Sequence, residues 1–195
     1  MVLWTIAIIM TVIFLFLLLL IWLRKVQFDA IHQNFLDLED QLGGEVVRGG
    51  FAVRPRFKGE YDGKPFSISI SSEGSREERR YYISVTMRVK SRFSFTVMDV
   101  DWLGKRANDS GKERDLQPLL EGKYILELAR NTRLGKKDLA LIEQVIQPLA
   151  PFAYILVGGS SMMMERISHN IIEDTKIAHT PPLLAALAEM AEQLG

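Results

Sequence analysis

The stretch that decides the fold is Phe51-Ala52-Val53-Arg54-Pro55-Arg56-Phe57-Lys58-Gly59-Glu60-Tyr61-Asp62-Gly63-Lys64-Pro65-Phe66-Ser67-Ile68-Ser69-Ile70. Phe51, Val53, Pro55 and Phe57 alternate with Ala52, Arg54, Arg56 and Lys58. After Asp62-Gly63, Phe66, Ile68 and Ile70 alternate with Ser67, Ser69 and Ser71. Alternation of period two sends successive side chains to opposite faces of a strand. Asp-Gly between two such runs signals a two-residue hairpin, because a type I′ turn needs φ > 0 at both central positions. That loop sets Tyr61 opposite Lys64, Lys58 opposite Ser67, Phe57 opposite Ile68, Arg56 opposite Ser69 and Pro55 opposite Ile70. Directly opposed residues share a face, so the register sorts apolar from polar without conflict. Pro55 has no N–H to give to a ladder, which predicts an edge position for the first strand.

Downstream, Tyr81, Ile83, Val85, Met87 and Val89 alternate with Tyr82, Ser84, Thr86 and Arg88, and Phe93, Phe95 and Val97 alternate with Ser94, Thr96 and Met98. A three-residue loop at Lys90-Ser91-Arg92 predicts a second hairpin pairing Val89 with Phe93, Met87 with Phe95 and Val85 with Val97. The four strands then share one apolar face and one face of Ser, Thr, Arg and Lys, the pattern of an antiparallel sheet covered on one side. Residues 104–115 read as a polar loop. Tyr124, Leu126 and Leu128 fit either a short strand or part of a helix begun at Leu116. Leu139, Leu141, Ile142, Val145 and Ile146 predict a helix from Lys136 to Gln147, ended by Pro148. Phe152–Val157 reads as a strand, Gly158-Gly159 as a turn, and Met162-Met163-Met164 to Ile167 as a strand or a helix start. The last helix has Thr180 as cap, Pro181 at its first position and Leu183, Leu184, Leu187, Met190, Ala191 and Leu194 as its apolar stripe. The fold class is therefore α+β: an antiparallel sheet with one face covered by the helices near 136–147 and 181–194.

Upstream, residues 2–23 contain no charge, Gly or Pro. Twenty-two helical residues span about 33 Å against a hydrocarbon core of about 30 Å. Trp4 and Trp22 stand near the two ends, where indole rings favour the interface. A cleaved signal peptide needs a basic segment before the apolar run and a small-residue cleavage site after it, and neither is visible around Trp22-Leu23-Arg24-Lys25. Arg24 and Lys25 predict a single-pass protein with its N-terminus outside and its soluble domain cytoplasmic. The absence of Cys is compatible with a reducing compartment. The expected organisation is a transmembrane anchor at 1–25, a juxtamembrane helix at 26–43 and a soluble α+β domain at 44–195. Phe28, Ile31, Phe35, Leu38 and Leu42 are spaced as two heptads, a stripe that either packs on the domain or mediates self-association in a homodimer or a membrane protein complex.

Motifs for chemistry are weak. Asp99 and Asp101 sit two residues apart on one strand face and are the weak candidates for a metal or acid–base pair. His32, His169 and His179 lack metal-ligand spacing. Gly158-Gly159-Ser160-Ser161 lacks the Lys-Ser/Thr of a P-loop and reads as a turn. Met162-Met163-Met164 reads as core, and Asn108-Asp109-Ser110 matches a glycosylation sequon that a cytoplasmic position makes irrelevant. No cofactor is implied. Arg54, Arg56, Lys58, Arg88, Lys90 and Arg92 lie in the locally basic segment 54–92, ten bases against five acids. Their functional reading is an anionic surface, for a tethered domain the lipid headgroups. One Tyr on that face is too few for base stacking, which argues against nucleic acid. The sequence supports a membrane-tethered, non-enzymatic interaction module, with an enzyme or small-ligand or metal binder at Asp99 and Asp101 as the alternative.

Overall fold

The computed structural model describes residues 2–50, 53–74, 79–104, 116–129 and 134–195. Phe51, the segment 105–115 and the sequon within it lie outside these. Nine strands form one antiparallel sheet: β1 (Glu45–Val47), β2 (Arg56–Tyr61), β3 (Lys64–Glu73), β4 (Arg80–Arg88), β5 (Phe95–Asp99), β6 (Leu116–Leu119), β7 (Tyr124–Leu128), β8 (Tyr154–Val157) and β9 (Ser161–Ser168), in the order β1-β2-β3-β4-β9-β8-β5-β7-β6. The helices are α1 (Val2–Leu42), α2 (Val100–Gly104), α3 (Lys136–Ile146), α4 (Ile171–Asp174) and α5 (Thr180–Leu194).

The first hairpin has the register its alternation requires, with Phe57 opposite Ile68, Lys58 opposite Ser67 and Tyr61 opposite Lys64. Asp62 and Gly63 take φ of 50° and 70°, the positive pair a type I′ turn demands. The strand begins only at Arg56, so the expected pairs of Arg56 with Ser69 and Pro55 with Ile70 lie outside the ladder. Nor is β2 an edge: β1 runs along its other side, with Val46 opposite Phe57. Three residues are too few for β1 to register as an alternating run, and Pro55 precedes the ladder, where its missing N–H costs nothing.

The expected second hairpin is overturned. β4 pairs with β3 and β9, and β5 with β7 and β8, so Val85 faces Ile68 and Met164 while Val97 faces Leu126 and Ile155. The face assignment holds, with Val85, Met87, Phe95 and Val97 all buried, but the β8–β9 hairpin stands between the two strands. The link from β4 to β5 crosses the tip of that hairpin, where the amides of Val89 and Ser91 donate to the carbonyls of Ser160 and Gly159 at 3.1 and 3.2 Å. The methionine run is thereby a central strand, Met162 and Met164 pointing into the core.

One face of the sheet is covered by α3, α5 and the second half of α1, which form a single core with it. Phe28, Ile31, Phe35 and Leu38 are buried, Leu42 is partly buried, and the Phe35 ring lies 6.2 Å from that of Phe57. The self-association reading of this stripe is corrected: the side chains that would meet a second copy are inside the domain. Asn34 adds polar contacts, its Nδ2 donating to the Ile172 carbonyl at 2.7 Å and to Thr175 Oγ1 at 2.9 Å. Residues 2–19 of the same unbroken helix are all exposed, and this is a helix long and apolar enough to cross a membrane. The opposite sheet face is not wholly polar, because Tyr82, Met98, Trp102 and Ala153 bury one another there.

Strand direction fixes where each end of the sheet lies. Gly43 and Gly44 turn the chain back at the end of α1, and Arg48, just past β1, reaches Asp29 at 2.7 Å, so β1 runs back along α1 toward its apolar half. Antiparallel pairing then makes β3, β9 and β5 end on the side of that apolar half, where Glu73, Arg80, Ser168, Asp99 and α4 collect.

Candidate functional site

At this end the apolar rows of the sheet stop. Phe95 and Val97 point into the core and Asp99 follows on the same face, opposite Tyr124; Met162 and Met164 point into it and Arg166 follows, opposite Ile83. The two charged residues border a cleft of about 830 Å³ between the sheet end, α1 and the α4–α5 segment. Its floor is apolar, with Phe35, Ile68, Ile83, Val85 and Leu183. Its polar lining includes Arg80, Arg166, Asp99, Asp101, Glu173 and Asp174, with His169 and His179 both exposed. A site of this size with an apolar floor and a few convergent polar groups has the dimensions of a small-molecule pocket.

Asp99 and Asp101 both reach this cleft, but not as a strand pair. The chain turns helical at Val100, and Asp99 Oδ1 accepts from the amides of Asp101 and Trp102 at 2.9 and 3.1 Å. One Asp99 oxygen is thus fixed as the cap of α2, and the expectation of two carboxylates on one strand face is corrected. Among the described residues no group of three His, Asp or Glu side chains is arranged to hold a metal ion. Other polar groups of the lining are engaged locally. Arg166 Nε donates to the Pro151 carbonyl at 3.2 Å, Ser168 Oγ to Asp174 Oδ2 at 2.7 Å, and Glu173 pairs with Lys176 at 2.7 Å. Beneath them Tyr124 is fully buried and stacks on Phe152 with centroids 4.3 Å apart. Burial raises its hydroxyl above the usual tyrosine value, the Asp99 carboxylate adding to the rise and Arg166 opposing it. Arg80, Arg166, Asn170 and Thr175 carried no signal in the sequence, since they converge only through the β4–β9 pairing and the turn into α4.

The six basic residues do not form one patch. Arg54 is partly buried beside the end of β3, its guanidinium donating to Ser72 Oγ and to the Ile70 carbonyl. Arg56 and Lys58 are exposed on β2. Arg88, Lys90 and Arg92 lie at the other end of β4, about 26 Å from Arg80 at 3.3 Å per strand residue. The basic residues expected on one face are therefore strung along the sheet, Arg54 at one end, Lys58 level with Ser67 and Thr86, and Arg88, Lys90 and Arg92 toward the other. His32, expected on the polar side of its helix, has its Nδ1 buried without a hydrogen-bond partner among the described residues.

Comparison with protein-family models, with curated proteins and with solved structures returns no match for this chain.

Proposed function

We propose that the chain is a single-pass membrane protein whose domain is a binding module on the cytoplasmic side, taking an amphipathic small molecule in the cleft. The apolar run of α1 supports the tether, and Arg24-Lys25 at its domain side supports the orientation. The observation that carries the ligand reading is the build of the cleft: an apolar floor, a charged mouth, and an opening on the side from which the apolar half of α1 departs. A ligand with an apolar body and a polar end matches both parts, and the bilayer surface is where such molecules concentrate. Asp101 and Arg166 are the side chains best placed to orient the polar end, since Asp99 is committed to α2. This reading keeps the interaction module and replaces catalysis at an aspartate pair with recognition by a mixed-charge rim.

Trp102 lines the cleft and reports on its occupancy. In the Trp4→Phe/Trp22→Phe chain, reconstituted in nanodiscs, a panel of fatty acids, lysophospholipids and isoprenoid phosphates should contain members that shift Trp102 emission saturably. Leu183→Phe, which narrows the floor, and Arg166→Ala should each weaken those members at least tenfold. A panel with no saturable shift, or with shifts indifferent to both substitutions, would remove the ligand role of the cleft.

A further inference from the structure

A second groove, of about 880 Å³, lies where the apolar half of α1 meets the domain. Its wall is hydrocarbon, with Leu17, Leu20 and Ile21 of α1 and Ile172 of α4, and Arg24 and Arg79 line it as well. The two guanidiniums come from distant parts of the chain, one just past the apolar run and one just before β4. Arg54 stands close behind them: burial first, and then the like charges of Arg24 and Arg79, hold its guanidinium below the usual arginine value. No carboxylate among the described residues pairs with Arg24, Arg54 or Arg79. Asp29, the nearest acid along α1, is occupied by Lys25 at 2.6 Å and Arg48 at 2.7 Å. Two guanidiniums at the rim of an apolar groove, with a third positive charge behind them, call for an anion carrying a hydrocarbon chain.

The depth fits one leaflet. Leu17 lies about 10 Å along the helix axis from Arg24, within the roughly 15 Å of a hydrocarbon half-bilayer. We propose that this groove docks one anionic phospholipid, an acyl chain along Leu17, Leu20 and Ile21 and the phosphate between Arg24 and Arg79, with Arg54 as a third positive charge behind them. The proposal rests on the membrane-spanning reading of α1 given above, and concerns a different site from the cleft. It also reassigns the headgroup contact: of the six basic residues singled out in the sequence, only Arg54 belongs to it, and the cations at the far end of β4 do not.

The test uses the full chain carrying Trp4→Phe/Trp102→Phe, so that Trp22, the one tryptophan left, reports from the groove's own stretch of α1. In phosphatidylcholine vesicles, brominated phosphatidylglycerol should quench Trp22 more than brominated phosphatidylcholine at equal mole fraction, with a relative affinity of about fivefold per guanidinium engaged. Arg24→Gln and Arg79→Gln should each abolish most of the preference, Arg24→Lys should retain it, and Arg88→Gln/Arg92→Gln should leave it unchanged. Glycerol phosphate in solution should not displace the lipid. Equal quenching by the two lipids, a preference that survives Arg24→Gln/Arg79→Gln, or displacement by soluble glycerol phosphate would overturn the site. Quenching by neither lipid would mean that α1 is not in the bilayer, and the membrane reading would fall with it.

Discussion

At the residue scale, the informative positions are those where a charge stands in an apolar row. Alternation placed Asp99 on the same face as Phe95 and Val97, and it is there. What alternation could not reveal is why a carboxylate is tolerated: the strand ends at Asp99, and its side chain accepts two amides of the next helix, which satisfies one oxygen without a partner charge. Asp101 was misplaced for the same reason, because a period of two stops applying once the chain turns helical. Tyr124 gives this corner a pH signature. Its hydroxyl sits above the usual tyrosine value of about 10, chiefly through burial and then through Asp99. A value raised on folding means that the folded chain holds the proton longer than the unfolded chain. The associated stability is full below about pH 10 and is lost as pH rises through the folded value. The melting temperature should therefore fall from about pH 10 upward. In Tyr124→Phe, which keeps the stacking on Phe152, that fall should be shallower while the midpoint near pH 7 changes little. A parallel alkaline fall in the two proteins would place the titration elsewhere.

At the element scale, alternation identified faces and left neighbours open. β4 and β5 would have made a sound hairpin by pattern, since Val89 against Phe93 and Val85 against Val97 violate nothing. The chain instead carries the β8–β9 hairpin between them, three strand spacings or about 14 Å from β4 to β5. The seven steps from Arg88 to Phe95 can span about 23 Å, so the link is long enough for either arrangement and its length did not discriminate. Strand order is decided by which apolar faces fill the core together, and that is not written in any single segment. The second half of α1 is the clearest case. Phe28, Ile31, Phe35 and Leu38 are as deeply buried as the sheet residues they cover. At about 1.5–3 kcal/mol per buried side chain they contribute roughly 6–12 kcal/mol, comparable with the whole stability of a domain. The soluble unit is thus expected to begin near residue 26. A fragment 26–195 should show a cooperative melt and resist limited proteolysis, whereas 44–195, with Phe57 uncovered, should not. Within the longer fragment Phe35→Ala should cost about 3–5 kcal/mol in a denaturant titration. A stable, cooperatively melting 44–195 would show that α1 only rests on the domain.

At the scale of the whole molecule, the continuity of α1 sets the geometry. The first buried residue, Phe28, follows Arg24 by four positions, about 6 Å of helix, so no linker separates the apolar run from the core. A domain held this way cannot swing freely, and it presents one fixed end to whatever surrounds the apolar helix. That end carries Gly74, Arg79, the cleft and α4, while Lys90 and the β8–β9 turn lie at the other. Because the chain has no Cys, single cysteines can be introduced without background. A fluorophore on Gly74→Cys should be quenched by headgroup-nitroxide lipid in reconstituted vesicles, and one on Lys90→Cys should not, their levels differing by most of the length of β4, about 26 Å. The same two variants address the side of the membrane: an impermeant maleimide should label both after lysis and neither in intact cells if the domain is cytoplasmic. Equal quenching at the two positions would mean that the sheet lies along the surface instead of standing on it. Labelling in intact cells would reverse the orientation inferred from Arg24 and Lys25, without disturbing the placement of the cleft and the groove at the end beside the apolar helix.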